Sequence, residues 1–174
     1  MESGMISAIK KWDKKVSDTS KIKKVHLPAG IDTMLKWAPA LSIFVLDAIG
    51  AKTKNNLRQH LLLAAAGEGL LNAVLVPVKH GVHRVRPNHS ANKKSFPSGH
   101  TATSFLGAEM LRHEWEQGNK LLSCSGYVVA VAAGFMRVNK NKHWPSDIVA
   151  GAVLGLAAAR FTYWALKRLT KNMK

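Results

Sequence analysis

Acidic residues are scarce in this chain: 10 Asp and Glu stand against 26 Lys and Arg, a formal net charge of +16. That imbalance sets cationic partners aside and points to anionic ones, whether phosphate groups, anionic lipid or nucleic acid. Aromatic residues are also few. Two Tyr and five Phe leave little with which to build stacking platforms for single-stranded nucleic acid. Cys124 is the only cysteine, so an internal disulfide is impossible and no redox compartment is implied. Between Ser123 and Ser125 in an apolar stretch, it reads as a small core residue. No strand-like alternation of any length is present, nor any internal repeat. The first 24 residues lack the continuous apolar core of a signal peptide. At 174 residues the chain suits one domain and is too short for two ordinary ones.

What is present is local contrast hidden beneath a mean hydropathy of −0.06. Residues 1–24 alternate Ile, Val and Trp with Lys, a pattern that fits an interfacial amphipathic helix or a solvated tail. Residues 1–30 are therefore set apart as a basic N-terminal segment, and residues 31–174 as a single catalytic membrane domain. Within the latter, residues 33–50, 61–78, 121–138 and 148–166 each approach membrane-spanning length, and residues 101–111 form a shorter apolar stretch. They are rich in Gly and Ala, as closely packed transmembrane helices are. The expected fold is all-α, a membrane-embedded bundle of about five to six helices. Asp47 and Glu68 interrupt the apolar stretches and are read as internal polar contacts. His26, His60 and His113 are placed at surfaces or helix ends.

Two polar, basic loops separate these segments: one across residues 81–99 and one across residues 139–147. Two intervening helices return the chain to the same side, so both loops belong at one end of the bundle. They carry a consistent chemistry. Lys79 and Arg86 are seven apart and share a face if the helix continues to Pro87, which would stop it. Arg offers a planar fork to phosphate and Lys a compact charge. Ser98 is a natural N-cap, Gly99 permits close backbone approach, and a helix start offers free N–H groups to an anion. His100 sits at that mouth, placed to give or take a proton. His143, with Asp147 one turn on, suits a nucleophile whose tautomer is held by a carboxylate. His80, His83 and His89 lack partners at ligand spacing and are read as loop or rim residues, with no metal site implied.

The ordered set KHGVHRVRP (79–87), PSGH (97–100) and RVNKNKHWPSD (137–147) resembles the three-part pattern of the type-2 phosphatidic acid phosphatase superfamily. That superfamily includes membrane lipid phosphatases, bacterial acid phosphatases and vanadium haloperoxidases. The resemblance implies that Lys79, Arg86 and Arg137 bind phosphate, while Ser98 and Gly99 contact its oxygens. It further implies that His100 protonates the leaving group, His143 attacks phosphorus and Asp147 orients His143, with no metal and no cofactor. One departure is visible: Met136 stands where the pattern usually has Ser before Arg137. The expected substrate is a lipid phosphate or pyrophosphate, of the undecaprenyl pyrophosphate, phosphatidylglycerol phosphate, phosphatidic acid or lipid A phosphate type. Membrane lipids are the expected surroundings, and nucleic acid is not an expected partner. A soluble acid phosphatase or vanadate-dependent haloperoxidase is the alternative within enzymes. A basic membrane-surface binder without catalysis is the alternative outside them. The basic residues of 51–57, Lys120 and 167–174 lie opposite the site, so the positive-inside tendency places the site on the periplasmic face of a bacterial inner membrane.

Overall fold

The computed structural model describes residues 2–21, 28, 30–89, 91–116 and 120–172. His26 lies outside them. Among the described residues six helices follow one another: α1 (Glu2–Lys21), α2 (Ile31–Ala48), α3 (Leu57–Val82), α4 (Gly99–Glu114), α5 (Lys120–Asn139) and α6 (Pro145–Asn172). No strand occurs among the described residues. Local chemistry sets several boundaries. Asn56 accepts from the Gln59 amide while the Gln59 side chain accepts from the Asn56 amide, each at 3.0 Å, a reciprocal cap that starts α3. Ser98 caps α4. At the end of α3 His83 turns left-handed with φ 47°, so the helix stops before Arg86. The expectation that Lys79 and Arg86 share one helix is therefore corrected: Arg86 comes from the loop.

α4 is the axis of the bundle, packed most extensively against α6, α5 and α2. Nearly every side chain from Thr101 to Leu111 is buried, which explains how so short an apolar stretch belongs in a membrane bundle: neighbouring helices, not lipid, surround it. Leu106, Leu111, Leu63, Leu71 and Ile43 form the centre of the core. Glycines permit the closest approaches. A Cβ on Gly107 would stand 2.7 Å from the Ala40 amide nitrogen, and one on Gly155 would overlap the Ala102 carbonyl oxygen.

Outward faces are apolar. Val128, Val131 and Phe135 on α5, and Val149, Val153 and Phe161 on α6, are exposed. Among the described residues three helices, Leu57–Val82, Lys120–Asn139 and Pro145–Arg168, are long and apolar enough to cross a membrane. Cys124 shares the outer face of α5 and is exposed, so its reading as a core residue is corrected; Ser123 and Gly126 take the inward positions. His60 stands at a helix end, in the first turn of α3, but a surface position is corrected. It is fully buried, with Nδ1 2.7 Å from Asp47 Oδ2 and Nε2 2.9 Å from Glu114 Oε2. Asp47 thus makes an internal polar contact, as does Glu68 with Thr103 at 3.4 Å.

α1 lies against α5 and α6. It buries Asp13 and Ser17 and leaves Met5, Ile9 and Trp12 exposed on another face, flanked by exposed Lys10, Lys11, Lys14 and Lys15.

Candidate active site

The two basic loops meet at the end of the bundle where α3 finishes and α4 and α6 begin. Backbone bonds join them: the Asn88 amide donates to the Asn141 carbonyl at 3.1 Å, and the Ser98 amide to the Asp147 carbonyl at 3.0 Å. The Trp144 indole donates to the Val85 carbonyl at 2.9 Å. These ties place His143 beside the segment that precedes α4.

His143 is 2% exposed, and its Nδ1 lies 2.7 Å from the Ser95 carbonyl oxygen. A carbonyl only accepts, so Nδ1 carries the hydrogen and Nε2 keeps its lone pair. Asp147 Oδ2 stands 3.6 Å from the same Nδ1, beyond a hydrogen bond. The fully buried Asp147 carboxylate instead accepts from the Ser95 hydroxyl at 2.5 Å, the Trp144 amide at 2.9 Å and Arg84 at 2.7 Å. Ser95 is therefore the intermediary. Its carbonyl holds the ring and its hydroxyl ties that loop to Asp147. Burial, joined by the charges of Arg137 and Lys79, holds the His143 imidazole below its ordinary pKa, against the attraction of Asp147.

The cations converge on the same place. Lys79, on the last turn of α3, donates to the Pro97 carbonyl at 2.5 Å. It lies close enough to Arg86 and Arg137 to feel the repulsion of both. Arg137, at the end of α5, donates through Nη1 to the buried Asp32 carboxylate at 2.5 Å. Its Nε is buried without a partner, and so is the Nε of Arg86. Two buried guanidinium donors left open among mutually repelling cations define a place for an anion. A Cβ on Gly99 would lie 3.9 Å from Lys79 Cε, at the edge of that space. His100 opens α4 beside it, half-buried. Burial first, then the charges of Arg137 and Lys36, lower its pKa to about 4. Met136 is 4% exposed and packs in the core, making no side-chain polar contact of the kind a serine offers.

Several site residues escaped the sequence reading. Arg84 bridges Asp147 and Asp13, the latter at 2.5 Å, and Asp13 also accepts from the Ser146 amide at 2.8 Å in the first turn of α6. Asp32 draws together Arg137, Lys140 at 3.0 Å and Lys142 at 3.6 Å. Burial opposes its charge, but the Lys140 and Arg137 bonds outweigh that and hold it well below the usual carboxylate range. Arg84 sits two residues before Arg86, and Ser95 two before Pro97, both inside the loop already singled out. Asp13 and Asp32 carry no local signal. Among the described residues, no three His, Cys, Asp or Glu side chains are grouped as metal ligands.

Helical, apolar on its outward faces and carrying at one end a buried imidazole among cations, the chain has the form of a membrane protein. Residues 59–171 match the PAP2 superfamily, and the chain belongs to that superfamily. It is 31% identical to the lipid A 1-phosphatase of Porphyromonas gingivalis over 135 residues, 77% of this chain but 30% of that protein, so it spans less than a third of that relative's length. It is 31% identical to the decaprenylphosphoryl-5-phosphoribose phosphatase of Mycobacterium tuberculosis over 138 residues, 70% of this chain and 75% of that one. Its fold is that of the PAP2-type phosphatidylglycerolphosphate phosphatase of Bacillus subtilis, with TM-score 0.66 at 22% identity over 96% of this chain and 88% of that one. It is also that of Aquifex aeolicus LpxE, with TM-score 0.64 at 17% identity over 86% of this chain and 93% of that one.

Proposed function

We propose that this protein is an integral membrane phosphatase that hydrolyses a lipid phosphate or pyrophosphate monoester through a phosphohistidine. The observation that carries the reading is the His143–Ser95 bond, which leaves Nε2 as the free nucleophile beside two unpartnered buried guanidinium nitrogens. Lys79, Arg86 and Arg137 hold the non-bridging oxygens and match their charge in the transition state, with the Ser98–Gly99 backbone at the start of α4 assisting. His143 Nε2 attacks phosphorus, an N–P bond forms, and the P–O bond to the leaving group breaks. His100 supplies the proton to the departing oxygen. It then takes a proton from water, which attacks phosphorus, cleaves the N–P bond and releases inorganic phosphate. In the unliganded protein the lowered pKa leaves His100 neutral; an anionic phosphate beside it draws the proton on. Asp147 acts through Ser95 to keep the ring in place. Fixed cations neutralise the developing charge, so the reaction runs without a metal.

The substrate reading follows from the apolar belt and the similar proteins together. Lipid A 1-phosphatase, the decaprenylphosphoryl-5-phosphoribose phosphatase and lipid phosphate phosphatases are among the proteins this chain is similar to. Candidate substrates are undecaprenyl pyrophosphate, phosphatidylglycerol phosphate, phosphatidic acid and lipid A phosphates. The catalytic end is assigned to the periplasmic face of a bacterial inner membrane, with α1 lying in that interface. The apolar face of Met5, Ile9 and Trp12 then meets lipid and the lysines meet headgroups.

The test is phosphate release from this panel by detergent-purified protein, wild type beside His143→Ala, with EDTA present. Turnover by wild type alone is expected. Equal release by both proteins overturns the nucleophile, and loss of wild-type turnover in EDTA overturns metal independence.

A further inference from the structure

A second cationic feature lies at the other end of the bundle. Arg160 follows Asp147 by thirteen residues on α6, about 20 Å along the axis at the α-helical rise. There the end of α4, the start of α3 and the end of α6 enclose a cleft of about 580 Å³. Its cations are Lys54, Arg112, Arg160 and Lys167, with Tyr163 and Trp164 on its wall. The carboxylates near them are already shared. Glu109 accepts from Arg112 and from Arg160, each at 2.9 Å, and from the Tyr127 hydroxyl. Glu116 lies 3.7 Å from Arg112 and 3.9 Å from Lys54. Glu114, deeper in, accepts from Asn55 at 2.7 Å and from Tyr163 at 2.5 Å. Lys54, Arg112 and Arg160 against the two carboxylates that pair with them leave the cleft net cationic, with Lys167 on the same lining.

Three features distinguish this cleft from an ordinary solvated patch. The Arg160 side chain is 67% exposed although it belongs to a segment apolar enough to cross a membrane. A guanidinium on a lipid-facing surface requires an anionic partner or a route to the interface, and Glu109 engages only its Nε. Trp164, one turn further on, is exposed and flanked by Arg168 at 5.6 Å from the ring, the arrangement of an interfacial anchor. Finally, an apolar groove of about 330 Å³ between α3 and α6 adjoins the cleft and shares Leu166 with it. Leu62, Ala66, Leu70, Phe161 and Ala165 line that groove along the membrane-facing side.

We propose that this cleft binds one anionic phospholipid from the leaflet opposite the catalytic end. Arg112 and Arg160, with Lys54 and Lys167, hold the phosphodiester, and one acyl chain lies in the α3–α6 groove. Net cationic lining, with each nearby carboxylate already paired, selects an anionic headgroup over a zwitterionic one. The site is separate from the catalytic cations and does not depend on the phosphatase reading.

The experiment is native mass spectrometry of the full chain in detergent, titrated with phosphatidylglycerol and with phosphatidylcholine of the same acyl chains. Wild type is compared with Lys54→Gln/Lys167→Gln, with Arg160→Gln and with Arg137→Gln at the catalytic end. Wild type and Arg137→Gln are expected to retain one phosphatidylglycerol in preference to phosphatidylcholine. The double lysine variant, which leaves the Glu109 pairs intact, is expected to weaken that binding about tenfold. Arg160→Gln is expected to weaken it at least as much. Unchanged binding by the folded double lysine variant overturns the proposal. So does loss in Arg137→Gln, which moves the lipid to the catalytic end, or equal retention of both lipids by wild type.

Discussion

Arg84 Nη1 lies 2.7 Å from Asp147 Oδ1, a contact between a loop arginine and the carboxylate beneath the candidate nucleophile. The other terminal nitrogen of Arg84 reaches Asp13 on α1, so one guanidinium links α1 to the candidate active site. Arg is suited to this task because its planar fork spans two carboxylates, which a lysine ammonium does not do with the same geometry.

Arg84→Gln is therefore expected to lower kcat about 10²-fold with little change in KM, the effect of a misplaced catalytic group. Arg84→Lys should recover part of the loss. Steady-state kinetics on folded variants decides the matter, and a wild-type kcat in Arg84→Gln would show that Asp147 needs only Ser95 and Trp144 to hold it.

The two histidines should separate by leaving group. His143→Ala is expected to abolish turnover with every substrate. His100→Asn should lose on the order of 10²–10⁴-fold with a lipid alkoxide leaving group, and far less with p-nitrophenyl phosphate, whose phenolate departs without a proton. In acid-unstable, base-stable trapping of the phosphoenzyme, His100→Asn should still be labelled and His143→Ala should not. Labelling of His143→Ala would place the covalent bond elsewhere.

The pH profile has a definite sign. Burial holds the His143 pKa below its ordinary value, and in the proposed mechanism the neutral imidazole is the attacking form. Activity is then present above that pKa and lost as pH falls through it, so the acid limb of kcat/KM should lie below about 6.5. His100 sits at about 4 in the unliganded protein, and bound phosphate raises it. The basic limb of kcat, measured at saturating substrate, should accordingly report His100 and disappear in His100→Asn. An acid limb above the ordinary histidine value would contradict the burial of His143.

Packing along the central helix gives a stability prediction. A Cβ at Gly155 overlaps the Ala102 carbonyl, so Gly155→Leu must separate α4 from α6. A loss of about 1–3 kcal/mol, read as a lowered Tm in detergent, is expected from overpacking. Val153→Leu, on the exposed face of the same helix, should leave Tm unchanged. Equal Tm shifts in the two variants would deny the close approach.

Much of this protein is written locally. Apolar stretches of spanning length announced the helices, Ser98 announced a cap, and the order Lys79–Arg86, Ser98–His100, Arg137–His143–Asp147 marked one chemistry in two loops. Such features survive in a linear reading because helix period, cap geometry and loop composition each depend on residues within a few positions of one another. Local reasoning misplaced Arg86 on a helix, since the left-handed turn at His83 intervenes, and missed the burial of His60, whose carboxylate partners come from α2 and α4. Asp13 meets Arg84 across 71 positions and Asp32 meets Arg137 across 105. No period or spacing encodes contacts at that range; they exist because α1 and α2 pack against the catalytic end. Composition and motif thus specify which groups are proposed to bind and cleave a phosphate. The packing of helices distant in sequence selects the carboxylates that hold those groups, because a buried charge takes the partner that the fold brings within reach.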